Sequence, residues 1–190
     1  MVAANDSINY NIKQKKSKVK ETKMITTVKF AKTKPNAIIP TKRLEDAGYD
    51  VYPCFDEEEM KIPPHTTVMI PTGIASACDT DFCFVLKERG STGSIGMAQR
   101  CGIIDSGYRN EWFVPITNTN DKPIIISKNC AKNGTKTHEF EAFIYYPYTK
   151  AICQALVLPV PEVEIEEYTY EELKAIPSER GTGRLGSSGK

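Results

Sequence analysis

Short apolar, β-branched runs recur along this chain between Gly and Pro turn signals. No stretch sustains the i, i+3, i+4, i+7 spacing of a long helix. Residues 24–30 (MITTVKF), 66–74 (TTVMIPTGI), 82–87 (FCFVLK), 111–118 (EWFVPITN), 123–127 (PIIIS), 139–146 (EFEAFIYY) and 151–160 (AICQALVLPV) read as strands. Many short strands with such turns predict an all-β sandwich or barrel. Two short helices punctuate it. In YTYEELKAI, Thr169 and Glu172 have the spacing of a capping box. A second helical turn is expected after Ser91, running through Ser94 to Ala98 despite its glycines. NCAKNGTKTHE (129–139) reads as a hairpin loop with Asn133-Gly134 at its tip.

At 190 residues and 40% apolar, the chain has enough material for one core, which excludes disorder throughout. No apolar run approaches the ~20 residues of a spanning helix, and the N-terminus lacks the apolar segment of a secretory signal. A soluble, cytoplasmic protein is expected. The net charge is +1, yet residues 1–23 carry six Lys against Asp6 and Glu21. Such a basic arm is able to touch nucleic acid weakly. Its lysines lack interleaved Arg and aromatic residues, so a solvated, disordered leader is the simpler reading. The folded body then begins at Met24 and runs to residue 179. Six cysteines form no C-x-x-C, and His65 and His138 sit far from any Cys pair. The cysteines fit neither a zinc site nor, without a secretory context, disulfides, and read as small core residues.

Residues 180–190 (RGTGRLGSSGK) stand apart, with Gly, hydroxyls and cations but no apolar surface to fold on. That composition suits either a floppy tail or an anion-binding flap, in which Gly-exposed N–H groups, hydroxyls and Arg180 meet phosphate oxygens. Polar residues also sit among the strands in DAGYDVYP (46–53), KERGSTGSIG (87–96), CGIIDSGYRNE (101–111) and KAICQALVLP (150–159). Asp50, Asp105, Arg89, Ser91, Thr92, Gln154 and Arg180 are the residue types that a nucleotide phosphate and its metal require. No G-x-x-x-x-G-K-[ST] is present, so this is not a P-loop protein.

In this order the five segments resemble the five motifs of the trimeric, all-β dUTPase family. The most specific parts are Ala47-Gly48-Tyr49-Asp50, Gly102-Ile103-Ile104-Asp105-Ser106-Gly107-Tyr108-Arg109 and Arg180-Gly181 through Gly186-Ser187-Ser188-Gly189. The resemblance implies a distorted β-barrel or jelly roll, assembled as a homotrimer with sites between protomers. It implies hydrolysis of dUTP to dUMP and pyrophosphate, which limits uracil in DNA and supplies dUMP for dTMP synthesis. By the same resemblance Asp105 orients the attacking water and Tyr108 stacks on the deoxyribose. Backbone groups around Gln99, Gly102 and Ile104 read uracil. Asp50 meets Mg²⁺ through water, while Arg89 and Gln154 hold phosphates. Arg180, Gly186, Ser187 and Ser188 belong to the closing tail. Residues 119–150 exceed a minimal family member, which implies an extended hairpin.

Three departures from the family pattern stand out. Arg89 is followed by Gly90 where a Ser is usual, so Ser91 or Thr92 is expected to supply the hydroxyl. Ala151 replaces the usual Arg before Ile152-Cys153-Gln154, leaving Lys150 to substitute in part, as a point charge without Arg's fork. Leu185 stands where a Phe usually covers uracil. Two other readings share the fold. One is a dCTP deaminase, whose catalytic Glu position falls near Pro115, a residue unable to do acid–base work. The other is a nucleotide-binding regulatory protein that has lost activity with Gly90.

Overall fold

The computed structural model describes residues 26–100, 102–130 and 142–183. The leader 1–23, Asn133-Gly134 and residues 184–190, among them Leu185, Gly186, Ser187 and Ser188, lie outside the described residues. Twelve strands and two short helices make up the described body. The all-β architecture expected from the run pattern is present.

Four small sheets share the strands. β1 (Lys29–Lys32) pairs with β5 (Ile74–Ala77). β4 (Thr67–Pro71), β9 (Phe113–Asn118) and β7 (Met97–Gln99) form a second sheet, with β9 central. β3 (Glu59–Ile62), β10 (Ile124–Ser127) and β11 (Ile144–Pro147) form the third. The fourth has the order β2 (Tyr49–Val51), β12 (Cys153–Pro159), β6 (Phe82–Lys87), β8 (Ile103–Ile104). Between the sheets lies one core that includes Phe84, Trp112, Ile62, Ile116 and Ile126. Phe30, Phe84 and Trp112 meet edge-on or tilted at 4.9–5.5 Å between centroids, as aromatic quadrupoles prefer. The indole N–H of Trp112 finds the Ser76 hydroxyl at 3.1 Å, so the buried ring leaves no polar atom unmet.

Two expectations are corrected here. β10 and β11 run parallel, Ile124 beside Ile144, and parallel neighbours need a crossover rather than a tight turn. The described strands of 119–150 therefore are not the two arms of a hairpin. The helix expected from Ser91 to Ala98 is shorter and earlier, α1 at Gly90–Gly93. Gly96 then takes φ +77° and the chain enters β7 at Met97. A side chain at 96 would meet the Asn120 amide at 2.5 Å, so both conformation and space demand Gly. α2 (Tyr170–Ala175) has the expected capping box, with the Thr169 hydroxyl accepting from Glu172 N–H and Glu172 reaching back to Thr169 N–H. Cys54 and Cys153 are buried as core residues. No helix among the described residues is long and apolar enough to cross a membrane.

Candidate active site

Strand register brings three of the candidate residues together. Across β2 and β12, Asp50 stands opposite Gln154, and across β12 and β6, Gln154 stands opposite Lys87. Opposed residues of paired strands project to the same face, so Asp50 and Gln154 enter one cleft while Arg89 reaches it from just beyond β6. The cleft measures about 610 Å³. Arg89 forks onto Asp50, Nε to Oδ1 at 2.9 Å and Nη2 to Oδ2 at 3.3 Å, and its Nη1 donates to the Ala151 carbonyl at 3.3 Å. Gln154 Nε2 donates to the Glu88 carbonyl at 2.8 Å, leaving its amide oxygen beside Gly48. A Cβ at 48 would lie 2.6 Å from that oxygen and 2.9 Å from the Gln154 Cβ. Gly48 is what lets the chain pass over Gln154.

The segment after Arg89 divides the two hydroxyls that sequence alone leaves equivalent. Thr92 is 0% exposed. Its Oγ1 accepts from the Arg89 N–H and donates to the Arg89 carbonyl, both at 3.0 Å. Thr92 thus locks the backbone at Arg89, and the expectation that it meets phosphate is corrected by its burial. Ser91 is exposed and lines the cleft beside Gly90. A Cβ at Gly90 would meet nothing within 4 Å.

Part of the cleft's charge comes from residues that the sequence motifs do not include. Lys42 and Arg43 line it, carried by TKRLED just ahead of the Ala47-Gly48 turn, where their nearness to Asp50 is the available signal. Arg43 is paired with Asp46 at 2.9 Å, whereas Lys42 forms no close ion pair among the described residues and acts on Asp46 only from farther off. Its ammonium reaches only the Arg43 and Leu44 carbonyls, at 3.3 and 3.4 Å, and lies 5.5 Å from the Tyr49 ring centre. Lys150 does not line the cleft, nor does Arg180. Of the two lysines, Lys42 lines the cleft and Lys150 does not.

The remaining candidates lie elsewhere on the chain. Gln99 is buried in β7 at 9% exposure, its amide donating to the Arg100 carbonyl. Leu86 N–H donates to the Gly102 carbonyl at 2.6 Å, and Ile104 pairs with Phe84, which fixes β8 on the edge of the fourth sheet. Asp105 follows β8 and is exposed. Tyr108 is 39% exposed, with its hydroxyl on the Glu111 carbonyl at 3.1 Å. Neither Asp105 nor Tyr108 lines the cleft of Asp50, Arg89 and Gln154. The two groups of candidate residues therefore lie on separate parts of the chain.

Comparison with known proteins is consistent with this arrangement. Residues 34–130 match the dUTPase family. A deoxyuridine 5'-triphosphate nucleotidohydrolase of Clostridioides difficile is 33% identical over 166 residues, covering 85% of this chain and 97% of the relative. Among solved structures, a mutant dUTPase of Staphylococcus bacteriophage 80alpha with dUpNHpp superposes with a TM-score of 0.62 at 21% identity. It covers 85% of this chain and 98% of its own. A mutant dUTPase from phage phi11 of S. aureus, described for its coordination of a structural Mg(II) ion, gives 0.59 at 18% identity over 76% of this chain and 99% of its own. The all-β fold, the rung of Asp50 and Gln154 against Arg89, and these matches agree: this chain belongs to the dUTPase family.

Proposed function

We infer that this chain hydrolyses dUTP to dUMP and pyrophosphate. The observation that carries the reading is the convergence of Asp50, Arg89 and Gln154, from three segments distant in sequence, on one cationic cleft. Arg89's remaining N–H groups and the Lys42 ammonium suit phosphate oxygens, and the Ser91 hydroxyl lies alongside. An ionised Asp105 would accept a proton from water as that water approaches the α-phosphorus. Tyr108 would bound the sugar, and the backbone of 99–104 would read the base edge. Mismatched buried polar groups there would reject cytosine at a cost of about 1–3 kcal/mol each.

The carboxylates fit a magnesium ion in one mode only. No group of three or more His, Cys, Asp or Glu among the described residues could hold a metal by itself. Asp50 is already forked by Arg89, and Asp46 by Arg43. This donor set suits an ion carried by the triphosphate and touched by Asp50 through water, since Mg²⁺ keeps several waters beside one or two carboxylates. When bound, the ion supplies neutralisation of phosphate charge. Asp50 would orient its waters, and Arg89 holds Asp50 in place.

A homotrimer with shared sites would unite the two groups of candidate residues. What supports it is the exposure of Asp105 and Tyr108 away from the cleft, together with an exposed C-terminal arm. The test is pyrophosphate release across dUTP, UTP, dCTP and dTTP, with ammonia release from dCTP measured in parallel. Selective pyrophosphate from dUTP is expected. Ammonia from dCTP would instead make the protein a deaminase, and binding without product would make it a sensor.

A further inference from the structure

Tyr146 comes from β11, in the third sheet, yet its hydroxyl reaches the Ala151 carbonyl just ahead of β12 in the fourth. The ring is 1% exposed, and Oη donates to the Ala151 carbonyl at 2.6 Å. That same carbonyl accepts Arg89 Nη1 at 3.3 Å. We propose that Tyr146 is a positioning residue for Arg89: by taking one lone pair of the Ala151 carbonyl, its hydroxyl directs the guanidinium to the other. The proposal rests on the reading of the cleft as a triphosphate site.

Packing alone does not explain the hydroxyl. Phe would fill the same volume, and a buried O–H is unfavourable unless bonded. Here the partner it finds is the acceptor that Arg89 also uses. Arg89 is then held on two sides, by the Asp50 fork and by the Ala151 carbonyl, and Tyr146 lies close enough to act on the guanidinium directly as well. Ala151 carries only a methyl group, so the space beside its carbonyl is open to the tyrosine. Burial pushes the phenol up to about 12, so Tyr146 remains a proton donor across any working pH.

A double-mutant cycle tests the link. Tyr146→Phe, Arg89→Lys and the combined variant are measured for kcat, KM and affinity for dUpNHpp, with thermal melting alongside. Lys lacks the planar fork, so it cannot use the node that Tyr146 shapes. With Arg89 intact, Tyr146→Phe is expected to lower kcat/KM and dUpNHpp affinity about 5- to 20-fold. Added to Arg89→Lys, the same change should cost less than about 2-fold, while melting shifts equally in both. Equal activity losses in the two backgrounds would overturn the proposal, because Tyr146 would then act as core packing. Unchanged constants in Tyr146→Phe would overturn it as well. Either result alongside full wild-type dUTP hydrolysis leaves the functional reading intact. A wild-type protein that releases no pyrophosphate would sink that reading and the proposal together.

Discussion

A side chain added at Gly90 would enter open cleft, since nothing lies within 4 Å of its Cβ. Gly90 is also the first residue of α1, where Gly costs more backbone entropy than Ser. Gly90→Ser should therefore leave the melting temperature unchanged or slightly higher. It should raise turnover by up to about 10-fold if a hydroxyl at this place can assist the leaving phosphate. Slower pyrophosphate release by the variant would show that Ser91 alone is the productive hydroxyl. The cleft's cations make a second expectation. Arg43 and Arg89 are each closely paired with a carboxylate, whereas Lys42 feels Asp46 only from farther off and is the cleft cation without a close ion pair. Lys42→Ala is expected to raise KM for dUTP about 5- to 10-fold, an effect that weakens in added salt. Lys150→Ala, outside the cleft, should change KM by less than about 2-fold. Equal effects would return Lys150 to the site.

The β2–β12 pair is the element on which the cleft depends, because it aligns Asp50 with Gln154. Gly48→Ala would place a methyl group 2.9 Å from the Gln154 Cβ, an atom fixed by the strand and unable to swing away. The strands must part locally, so a loss of about 1–3 kcal/mol in denaturant unfolding is expected, with turnover falling at least ~10-fold. A stable, active Gly48→Ala would mean that Gln154 has no fixed role. How much of this is legible in the sequence varies by element. Long apolar runs announce β6, β9, β10 and β12, and the Thr169–Glu172 spacing announces α2. β2, β3, β7 and β8 give no such signal, since two to four residues of mixed polarity carry no measurable period. Their pairing is decided by non-local partners, as with Ile103 and Ile104 against β6. The hydroxyls of Ser91 and Thr92 are equivalent in sequence, and only the backbone turn at Arg89 buries one and exposes the other. The motifs, by contrast, single out Asp50, Arg89 and Gln154, which the strand register then gathers in one cleft. Their chemistry is written in residue identity rather than in local geometry.

At the scale of the molecule, a single chain leaves much apolar surface uncovered. Val160, Val163, Ile165, Tyr168, Leu173 and Ile176 are exposed along the arm that follows β12, and α2 buries no residue. Exposed apolar series of this kind mark association surfaces. Under the proposed shared site, Asp105 of one copy would work on substrate held by Arg89 of another, which closed rotational symmetry permits. This has a quantitative consequence. Asp105→Asn should lower turnover at least ~10²-fold as an impaired general base, and Arg89→Gln should do so by losing its phosphate contacts. Two such proteins, co-expressed in equal amounts, would form mixed assemblies. A site built from two copies receives an intact Asp105 with an intact Arg89 in about one case in four, so about a quarter of wild-type turnover should return. A site contained within one copy would regain nothing, because every chain carries one of the two lesions. The measurement is dUTP hydrolysis by the co-expressed pair, purified through one tag common to both variants so that all assemblies are kept, against each variant alone. Turnover no higher than that of the parent variants would mean that Asp105 and Arg89 act within the same chain, and the shared-site assembly would have to be abandoned.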